Sequence, residues 1–317
     1  MRVVVTGGAG FVGANLLHHM AAVPEITQTV VVDDFSFGFR RNLDGLETTI
    51  HEGSILDQDL LDEAVDGADA IVHLAARSSV PRSVAHPFAA HEANATGTVR
   101  VLEAARSAGG IHVITASSSS VYGANKTLPK SENLATRPVS PYAASKTAAE
   151  AYTLAWGHSY DLPVLAFRFF NIFGPLQPPL HAYAAAIPSF LAAAFQNEPI
   201  PIHGSGTQSR DFTYVDTVVQ VLTNAVVQSV VHDEPVNLAY GTSSSLLEVI
   251  ALIEEVLGKQ LPREHLPLRT GDVPHSQADS RLLLKLFPAI EPTPLTDGLR
   301  DTIAWFRSAR PWEHASD

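Results

Sequence analysis

The feature that most constrains the fold of this chain is a glycine-rich turn close to the N-terminus. Gly7, Gly10 and Gly13 follow a short apolar run, and Asp33 stands twenty residues beyond the last of them. This order predicts a buried strand, a tight turn, and a helix over residues 11–20 whose free N–H groups can face a pyrophosphate. In such a turn Gly7 permits the tight bend, Gly10 lets the backbone approach the phosphates, and Gly13 lets the helix pack close to the strand.

The acid that follows this turn indicates the kind of dinucleotide. Residues 29–32 form a second predicted strand, with Asp33 at its carboxyl end. A carboxylate there can accept both ribose hydroxyls and repels a 2′-phosphate, so NAD is favoured over NADP. Arg40 and Arg41 are close in sequence and leave that preference open. A glycine-rich turn in some other α/β protein is the alternative, but strand, turn, helix, strand and acid occur here in the expected order.

Composition excludes several classes of function. The 317 residues carry a formal net charge of −12, which argues against a nucleic-acid surface, and there is no cysteine for a disulfide or a catalytic thiol. The 14 histidines lack metal-ligand spacing, so we expect no metal. No apolar signal region precedes the first strand, and the longest apolar stretch, residues 182–195, is too short to span a bilayer. We expect a soluble, cytoplasmic protein that does not bind membranes.

Predicted strands and helices alternate at the spacing of βαβ units. The pattern predicts an α/β fold with a doubly wound parallel sheet of the Rossmann type. Prolines recur after residue 170, so we predict an NAD-binding domain at residues 1–170 and a smaller α/β substrate-binding lobe at residues 171–317, with some segments returning to the first domain. Beyond the first two strands, the predicted strands are 48–51, 70–74, 111–114 and 164–167, and the predicted helices are 60–65, 89–108 and 140–160.

Candidate catalytic residues follow the fifth predicted strand. A serine run places Ser118 at the carboxyl edge of the sheet, where ligands of this fold bind. Ser140 as N-cap and Pro141 as first helical residue put Tyr142 and Lys146 on one helix face, four residues apart. The adjacent ammonium and the positive nicotinamide ring favour phenolate, so Tyr142 can take a proton from a substrate hydroxyl that Ser118 orients, while Lys146 holds the nicotinamide ribose. A Tyr-x-x-x-Lys pair alone is common on solvated helix faces, but the dinucleotide turn ahead of it favours the catalytic interpretation.

Together these motifs resemble the extended short-chain dehydrogenase/reductase family, in its nucleotide-sugar epimerase and dehydratase branch. The resemblance continues through residues 169–175, 204–215 and 269–272 and so covers most of the chain. It implies NAD as cofactor, held by Gly7, Gly10, Phe11, Val12, Gly13, Asp33, Ser54, Ile55, Leu74, Ala75, Ala76, Asn94, Tyr142 and Lys146. It implies a UDP-sugar substrate, held by Ser119, Ser120, Asn171, Arg210, Arg269, Asp272 and Ser276.

Departures from the family pattern narrow the reaction. The 4,6-dehydratases of the family carry an Asp-Glu pair where Ser119 and Ser120 stand, and hydroxyls cannot do the acid–base work of dehydration. The glucuronate 4-epimerases tend to have threonine in place of Asn171 and arginine in place of Pro178, which weighs against a carboxylated sugar, although a serine-rich loop can bind a carboxylate. Ser276 stands where a bulky residue limits the substituent at sugar C2 in some related epimerases, so an N-acetyl group should have room.

The resemblance therefore implies a homodimeric, NAD-dependent UDP-hexose 4-epimerase for UDP-glucose and UDP-N-acetylglucosamine and their C4 epimers. The helices at 89–108 and 140–160 resemble the pairs that form the dimer interface of the family. Ser54 stands where the family often has an adenine-contacting Asp, which shifts NAD affinity towards backbone contacts. The alternatives are a UDP-glucuronate 4-epimerase, another nucleotide-sugar 4-ketoreductase or dehydratase, and a redox-sensing NAD-binding protein. The intact Tyr-x-x-x-Lys pair argues against the sensor, which does not need it.

Overall fold

Apolar runs and helical segments alternate along the chain and form a layered α/β fold. The computed structural model describes residues 1–179, 185–267 and 274–313. The strands within these residues are β1 (Arg2–Thr6), β2 (Gln28–Asp33), β3 (Thr49–Glu52), β4 (Ala70–His73), β5 (His112–Ser118), β6 (Val164–Phe169), β7 (Ile172–Phe173), β8 (Ile200–His203), β9 (Ser209–Arg210), β10 (Thr213–Tyr214), β11 (Val236–Leu238), β12 (Ser244–Ser245) and β13 (Arg263–Leu266).

Helices cover both faces of the main sheet and build the second half of the chain. None of the helices in the described residues has the length and apolar character needed to cross a membrane. Short 3-10 turns cover Arg40–Leu43, Ser119–Tyr122 and Pro311–Glu313, and a π-helical turn covers Glu92–Thr96. The α-helices are α1 (Phe11–Met20), α2 (Gln58–Val65), α3 (Val80–Ala85), α4 (Pro87–His91), α5 (Gly97–Ser107), α6 (Pro141–Tyr160), α7 (Ala186–Gln196), α8 (Val215–Val227), α9 (Leu246–Leu257), α10 (Arg281–Leu286) and α11 (Leu295–Ala309).

The main sheet has seven strands in the order β11-β6-β5-β4-β1-β2-β3. Every neighbouring pair in it is parallel, which confirms the predicted doubly wound sheet. The strand order reverses between β1 and β4, because the chain runs outward through β2 and β3 before it crosses back. A crevice opens at the carboxyl ends of the strands at such a switch point, and ligands of this fold bind there.

Successive residues of β1 pack against different helical layers, because side chains alternate across a strand. Val3 and Val5 belong to the core that contains α1 and α8. Val4 belongs to the core that contains α2 and α5. All three side chains are fully buried. A parallel sheet covered on both faces needs continuous apolar strands, and this is why the run at residues 3–5 forms a central strand.

The second half of the chain adds helices and small two-stranded sheets. β7 pairs with β10, β9 with β12, and β8 with β13. β11 pairs in parallel with β6 and forms one edge of the main sheet, and α8 packs on α1. Segments after residue 170 thus return to the first layer. The division of the chain into domains at residue 170 stays a prediction.

Strand β5 is longer than the predicted strand at residues 111–114. Its parallel pairing with β6 continues through Ser117 and Ser118. The serine run is therefore divided: its first two hydroxyl side chains stand on the strand, and a 3-10 turn begins at Ser119. This brings Ser118 to the last position of the strand, at the carboxyl edge of the sheet.

The helix predicted at residues 89–108 is divided into α4, the π-helical turn and α5. Asn94 lies in the π-helical turn, and its side chain accepts from the backbone N–H of Arg77 at 2.7 Å and donates to the carbonyl of the same residue at 3.1 Å. The widened turn admits these bonds to a segment that precedes it by 17 residues in the chain. Bulges of this kind are frequent at functional sites.

Candidate active site

A cleft of about 820 Å³ runs along the carboxyl ends of the central strands and continues between the two halves of the chain. This is the ligand-binding edge of an open parallel sheet. Asn94 is buried and does not line the cleft, and Arg269 and Asp272 lie outside the described residues. The predicted site residues that line it are Gly7, Gly10, Phe11, Val12, Gly13, Asp33, Ser54, Ile55, Leu74, Ala75, Ala76, Ser118, Ser119, Ser120, Tyr142, Lys146, Asn171, Arg210 and Ser276.

The glycine-rich turn has the geometry of a phosphate site. Gly7 has a φ of +72°, and a Cβ on it would lie 2.7 Å from the Ala75 nitrogen. A Cβ on Gly13 would lie 2.3 Å from the Gly7 carbonyl oxygen, so a side chain at either position would push the turn, α1 and β4 apart. Helix α1 has Gly10 as N-cap, no side-chain cap and no acidic residue in its first turn. Its first N–H groups therefore have no partner within the helix and suit a pyrophosphate.

Asp33 ends β2 as a buried carboxylate. One oxygen accepts the N–H of Ala9 at 2.9 Å, and the other accepts that of Phe35 at 2.8 Å. Burial raises the pKa of Asp33, and these two hydrogen bonds lower it. Each carboxylate oxygen can accept a second hydrogen bond, so both keep capacity for ribose hydroxyls. Arg40, which is close to Asp33 in sequence, pairs with Glu52.

Helix α6 begins where the sequence predicts. Its N-cap is Ser140, whose side chain accepts the N–H of Ala143, and Pro141 is its first residue. Tyr142 and Lys146 follow on one face and both line the cleft. The local sequence thus sets the starting point from which both side chains reach the sheet edge.

The phenol of Tyr142 and the hydroxyl of Ser118 both line the cleft, and hydrogen bonding from Ser118 acts on the phenol. Ser120 Oγ donates to Ser118 Oγ at 2.9 Å, so the Ser118 hydroxyl keeps its own proton for Tyr142 or for a substrate oxygen. Burial raises the pKa of Tyr142, and the Ser118 hydrogen bond lowers it. Since only the phenolate can take a proton from a substrate, this bond favours the reactive form.

Lys146 places a buried ammonium one turn further along α6. Its Nζ donates to the carbonyl of Ala116 at 2.8 Å. Burial lowers the pKa of Lys146 to about 8. The sequence predicts that this ammonium lowers the pKa of Tyr142, whereas in the structure burial and hydrogen bonding from Ser118 are the influences on that pKa.

A buried hydrogen-bond network ties the glycine-rich turn to the π-helical turn. His73 Nδ1 lies 2.7 Å from Thr6 Oγ1, and Nε2 lies 3.0 Å from Thr98 Oγ1. Thr98 donates its own proton to the Asn94 carbonyl, so His73 Nε2 carries the imidazole proton and Nδ1 accepts from Thr6. Burial, and to a lesser degree the charge of Lys146, lowers the pKa of His73 to about 3, so the ring stays neutral.

Asn94 fastens the segment that follows β4 to helix α6. Besides its two bonds to Arg77, its Nδ2 donates to Ser145 Oγ at 2.9 Å. Ser145 Oγ donates in turn to the Tyr142 carbonyl at 2.8 Å. In the structure the Asn94 side chain lies behind the wall of the cleft. Contact between Asn94 and NAD stays a prediction.

Residues from the second half of the chain form the other wall of the cleft. Asn171 Nδ2 donates to the Asp211 carbonyl at 3.3 Å, and Arg210 Nη1 donates to the Ser209 carbonyl at 2.8 Å. The backbone N–H of Ser276 donates to the same Ser209 carbonyl at 3.1 Å. The wall thus brings an amide, a guanidinium and a hydroxyl to one ligand surface.

A buried carboxylate that the sequence analysis missed holds this wall in place. Asp211 accepts from the N–H groups of Gly241 and Ala278, each at 3.0 Å, and from Thr242 Oγ1 at 2.9 Å. Burial raises its pKa to about 6, against the lowering effect of these bonds. Asp211 therefore joins the segment of Arg210 to that of Ser276 through Ala278.

The sequence analysis also missed aromatic and basic residues at the cleft. Phe37, after β2, lines it together with Arg77 and Arg82, after β4. The guanidinium carbons of Arg82 and Arg77 lie 4.7 and 5.6 Å from the centre of the Phe37 ring. The available signal was position, because both segments directly follow strands at the ligand-binding edge.

Comparison with known proteins agrees with this geometry. The sequence profile described as the NAD dependent epimerase/dehydratase family matches residues 3–239. The chain belongs to this family. A UDP-glucose 4-epimerase of Mycolicibacterium smegmatis is 33% identical to this family member over 315 residues, which are 97% of this chain and 99% of the relative.

Solved structures of the same fold include enzymes for different sugars. A UDP-N-acetylglucosamine 4-epimerase from Methanobrevibacter ruminantium, in complex with UDP-N-acetylmuramic acid, has a TM-score of 0.91 at 35% identity, covering 97% of this chain and 98% of that chain. A UDP-glucuronic acid 4-epimerase from Bacillus cereus, in complex with UDP-glucuronic acid and NAD, has a TM-score of 0.89 at 27% identity, covering 98% of this chain and 100% of that chain.

Family membership confirms NAD as the cofactor. The residues present fit it, because the uncapped N-terminus of α1 suits its pyrophosphate and Asp33 suits its adenine ribose. Family membership does not identify the sugar of the substrate, since these relatives are named for different sugars.

Proposed function

We propose that this epimerase/dehydratase-family protein is a UDP-hexose 4-epimerase. The observation that carries the proposal is that Tyr142, Lys146 and Ser118 line one cleft in which Ser119 and Ser120 are the next residues. The phenolate of Tyr142 can take up one proton, and the phenol so formed can later return it. The two serines add no second acid–base pair, so the cleft supports oxidation and re-reduction at one carbon rather than elimination of water.

The side chains divide the work at the C4 hydroxyl of the sugar. Tyr142 takes the hydroxyl proton, and Ser118 orients the oxygen. Lys146 lies one helical turn away on the same helix and would hold the nicotinamide ribose. Bound NAD supplies the acceptor, and then the donor, of the C4 hydride. The 4-keto sugar rotates in the cleft between the two transfers, and Tyr142 returns the proton to the C4 oxygen.

The second wall of the cleft supports UDP-glucose and UDP-N-acetylglucosamine as substrates. Ser276 lines the cleft with a small side chain, which leaves room for an acetamido group at C2. Asn171 and Pro178 also line it and offer no cation to a carboxylate at C6. Arg210 is at the same wall and suits the diphosphate, and Arg269 and Asp272 would complete the nucleotide site.

UDP-glucuronate is the second candidate substrate. Ser119 and Ser120 line the cleft beside Ser118 and can donate hydrogen bonds to a carboxylate. Three neutral hydroxyls give weaker recognition of an anion than an arginine gives, because charge-assisted hydrogen bonds are about twice as strong. We therefore rank UDP-glucuronate below the two uncharged hexoses.

We also propose a cytoplasmic homodimer with no nucleic-acid or membrane partner, formed through α5 and α6. Ala144, Ala151 and Tyr152 on α6 are exposed in the protomer and available to a second copy. Ala143 and Ala149 of the same helix are buried within the protomer and take no part in this face. Sedimentation of the purified protein tests the dimer, and a monomer at micromolar concentration would contradict it.

A panel of nucleotide sugars tests the proposed function. Purified protein without added NAD is incubated with UDP-glucose, UDP-N-acetylglucosamine and UDP-glucuronate, and the products are separated by chromatography. We expect the C4 epimers of the first two, and none from Tyr142→Phe. A 4-keto-6-deoxy product would show that the reaction is dehydration and not epimerisation. Turnover of UDP-glucuronate alone would contradict the proposed substrates. No conversion even with added NAD would contradict the proposal that the protein is an enzyme for these sugars.

A further inference from the structure

Three consecutive residues of β5 each bind one residue on a single face of α6. The helix residues are four apart, so they stand above one another on successive turns. The contacts made by Tyr142 and Lys146 serve the proposed chemistry, whereas the contact made by Glu150 has no role in it. The contacts are Ser118 with Tyr142, the Ala116 carbonyl with Lys146 Nζ at 2.8 Å, and Ser117 Oγ with Glu150 Oε2 at 2.7 Å.

Glu150 is a buried carboxylate with a buried cationic partner. Arg168 of β6 donates from Nε to Oε2 at 2.9 Å and from Nη2 to Oε1 at 2.6 Å. The side chains of Arg168 and Glu150 are only 4% and 6% exposed. Arg168 stands opposite Ser117 in the β5–β6 register, so two neighbouring strands hold one helix residue. A pair this buried adds little net stability, because desolvation offsets its attraction, whereas its bidentate geometry fixes position closely.

The third nitrogen of Arg168 begins a chain of hydrogen bonds that reaches the other wall of the cleft. Nη1 donates to Tyr122 Oη at 2.9 Å, and Tyr122 Oη donates to Asn237 Oδ1 at 2.6 Å. Asn237 Nδ2 donates to the carbonyl of Asp279 at 3.3 Å. Asp279 is three residues beyond Ser276, so one buried chain of hydrogen bonds joins α6 to the segment that carries Ser276.

We propose that Glu150, held by Ser117 and Arg168, is a positioning residue that sets the register of α6 on β5 and so holds Tyr142 against Ser118. A small slide of α6 keeps most of its apolar packing but separates the phenol from the serine. A misplacement of about 1 Å at a reacting group costs about a hundredfold in rate. The effect on turnover rests on the proposed function, but the position of the phenol does not.

The mildest test is Ser117→Ala, which removes one hydrogen bond to Glu150 and leaves the ion pair with Arg168. We expect kcat to fall about tenfold, with KM and the bound NAD content within about twofold of wild type, because loss of positioning acts on the transition state. Glu150→Gln also removes the charge, and we expect kcat to fall about a hundredfold. If Glu150→Gln does not fold, Ser117→Ala alone decides.

Two control variants separate positioning from general packing. Thr153→Val removes the hydroxyl that donates to Thr115 Oγ1 at 3.1 Å, in the same helix–strand interface but further from Tyr142. Glu254→Gln makes the same chemical change in a buried glutamate paired with Arg263. We expect kcat of both within about twofold of wild type. The proposal is overturned if Thr153→Val costs as much as Ser117→Ala, or if Ser117→Ala and Glu150→Gln both keep wild-type kcat.

A second readout needs no substrate. The ultraviolet absorbance titration of the Tyr142 phenol is obtained in each background by subtracting the trace of the same protein carrying Tyr142→Phe. In Ser117→Ala we expect a higher pKa for Tyr142, because its bond to Ser118 lowers that pKa and is weakened when α6 slides. An unchanged titration overturns the positioning role. Absence of turnover in wild type would overturn the proposed function while leaving this readout intact.

Discussion

Lys146 Nζ donates to the carbonyl of Ala116 at 2.8 Å, two residues before Ser118 on the same strand. One strand therefore holds the ammonium through its backbone and the Tyr142 phenol through a side chain. A carbonyl cannot offset the loss of solvent as a carboxylate would, and burial lowers the pKa of Lys146 to about 8. The ammonium is thus lost at mildly alkaline pH.

We predict that activity falls as the pH rises through about 8. The protonated form of Lys146 is the active one, and its population declines above its folded-state pKa of about 8. Lys146→Arg should move the alkaline limb of kcat above about pH 10 while lowering kcat, because a guanidinium stays charged but has a different shape. The measurement is kcat against pH for both proteins. An alkaline limb at the same pH in both would assign it to another group.

Tyr142→Phe should remove most turnover and leave the fold and NAD binding intact. The phenyl ring keeps its packing, but the oxygen that bonds Ser118 is lost. We expect kcat at least about a hundredfold lower, the usual scale for the loss of a positioned acid–base group. Bound NAD and the melting temperature are the controls. Turnover within a few-fold of wild type would show that another group takes the proton.

NAD should bind more tightly than NADP, and Asp33 should be the reason. Its carboxylate repels a 2′-phosphate, and Arg40, a cation close to it in sequence, is paired with Glu52. Asp33→Asn should reduce the ratio of NAD affinity to NADP affinity at least about tenfold. Asp34→Asn makes the same chemical change at the adjacent residue and should leave most of that ratio unchanged. Calorimetry with both cofactors measures this. Equal affinities in wild type would contradict the role of Asp33.

His73 should make the protein less stable in acid. Its folded-state pKa of about 3 lies below its unfolded value of 6.5, so in this window unfolding takes up a proton. The free energy of unfolding therefore falls as the pH drops from 6.5 towards 3, by up to about 1.4 kcal/mol per pH unit. His73→Gln should remove this contribution but not that of His112, whose pKa burial also lowers. Denaturant titrations at several pH values measure the slope, and an unchanged slope would exclude His73 as its source.

The parts of the site that the sequence predicted are those fixed by local rules. Gly7 and Gly13 can be recognised in the sequence because these positions require glycine: a Cβ at either would lie within 3 Å of backbone atoms. Ser140 and Pro141 mark the start of α6, and this start fixes the position of Tyr142 in the first turn of the helix. The caps of α6 act within one helical turn and Gly13 meets the backbone of Gly7 six residues earlier, whereas the close neighbour of Gly7 is Ala75, which only the fold brings near.

The parts that the sequence did not predict depend on distant partners. Glu150 stands four residues after Lys146 on the same face of α6, but its partner Arg168 becomes visible only through the β5–β6 register. In the π-helical turn, Asn94 binds a backbone segment 17 residues earlier in the chain. Asp211 is held by N–H groups up to 67 residues away. Sequence spacing carries none of these tertiary contacts.

The size of the side chain at Ser276 should decide acceptance of the N-acetyl sugar. Ser276 is 7% exposed and lines the cleft, and its backbone is fixed by the bond to Ser209, so a larger side chain has little freedom to turn away. Ser276→Tyr should lower kcat/KM for UDP-N-acetylglucosamine at least about a hundredfold and that for UDP-glucose less than about fivefold, because a steric clash rejects one ligand without improving the other. The ratio of the two kcat/KM values is the measurement, with Ser243→Tyr as the control for a bulky residue on an exposed neighbouring segment. An equal loss for both sugars would place Ser276 away from the C2 substituent, and turnover of UDP-glucuronate alone by wild type would mean that Ser119 and Ser120 hold a carboxylate instead.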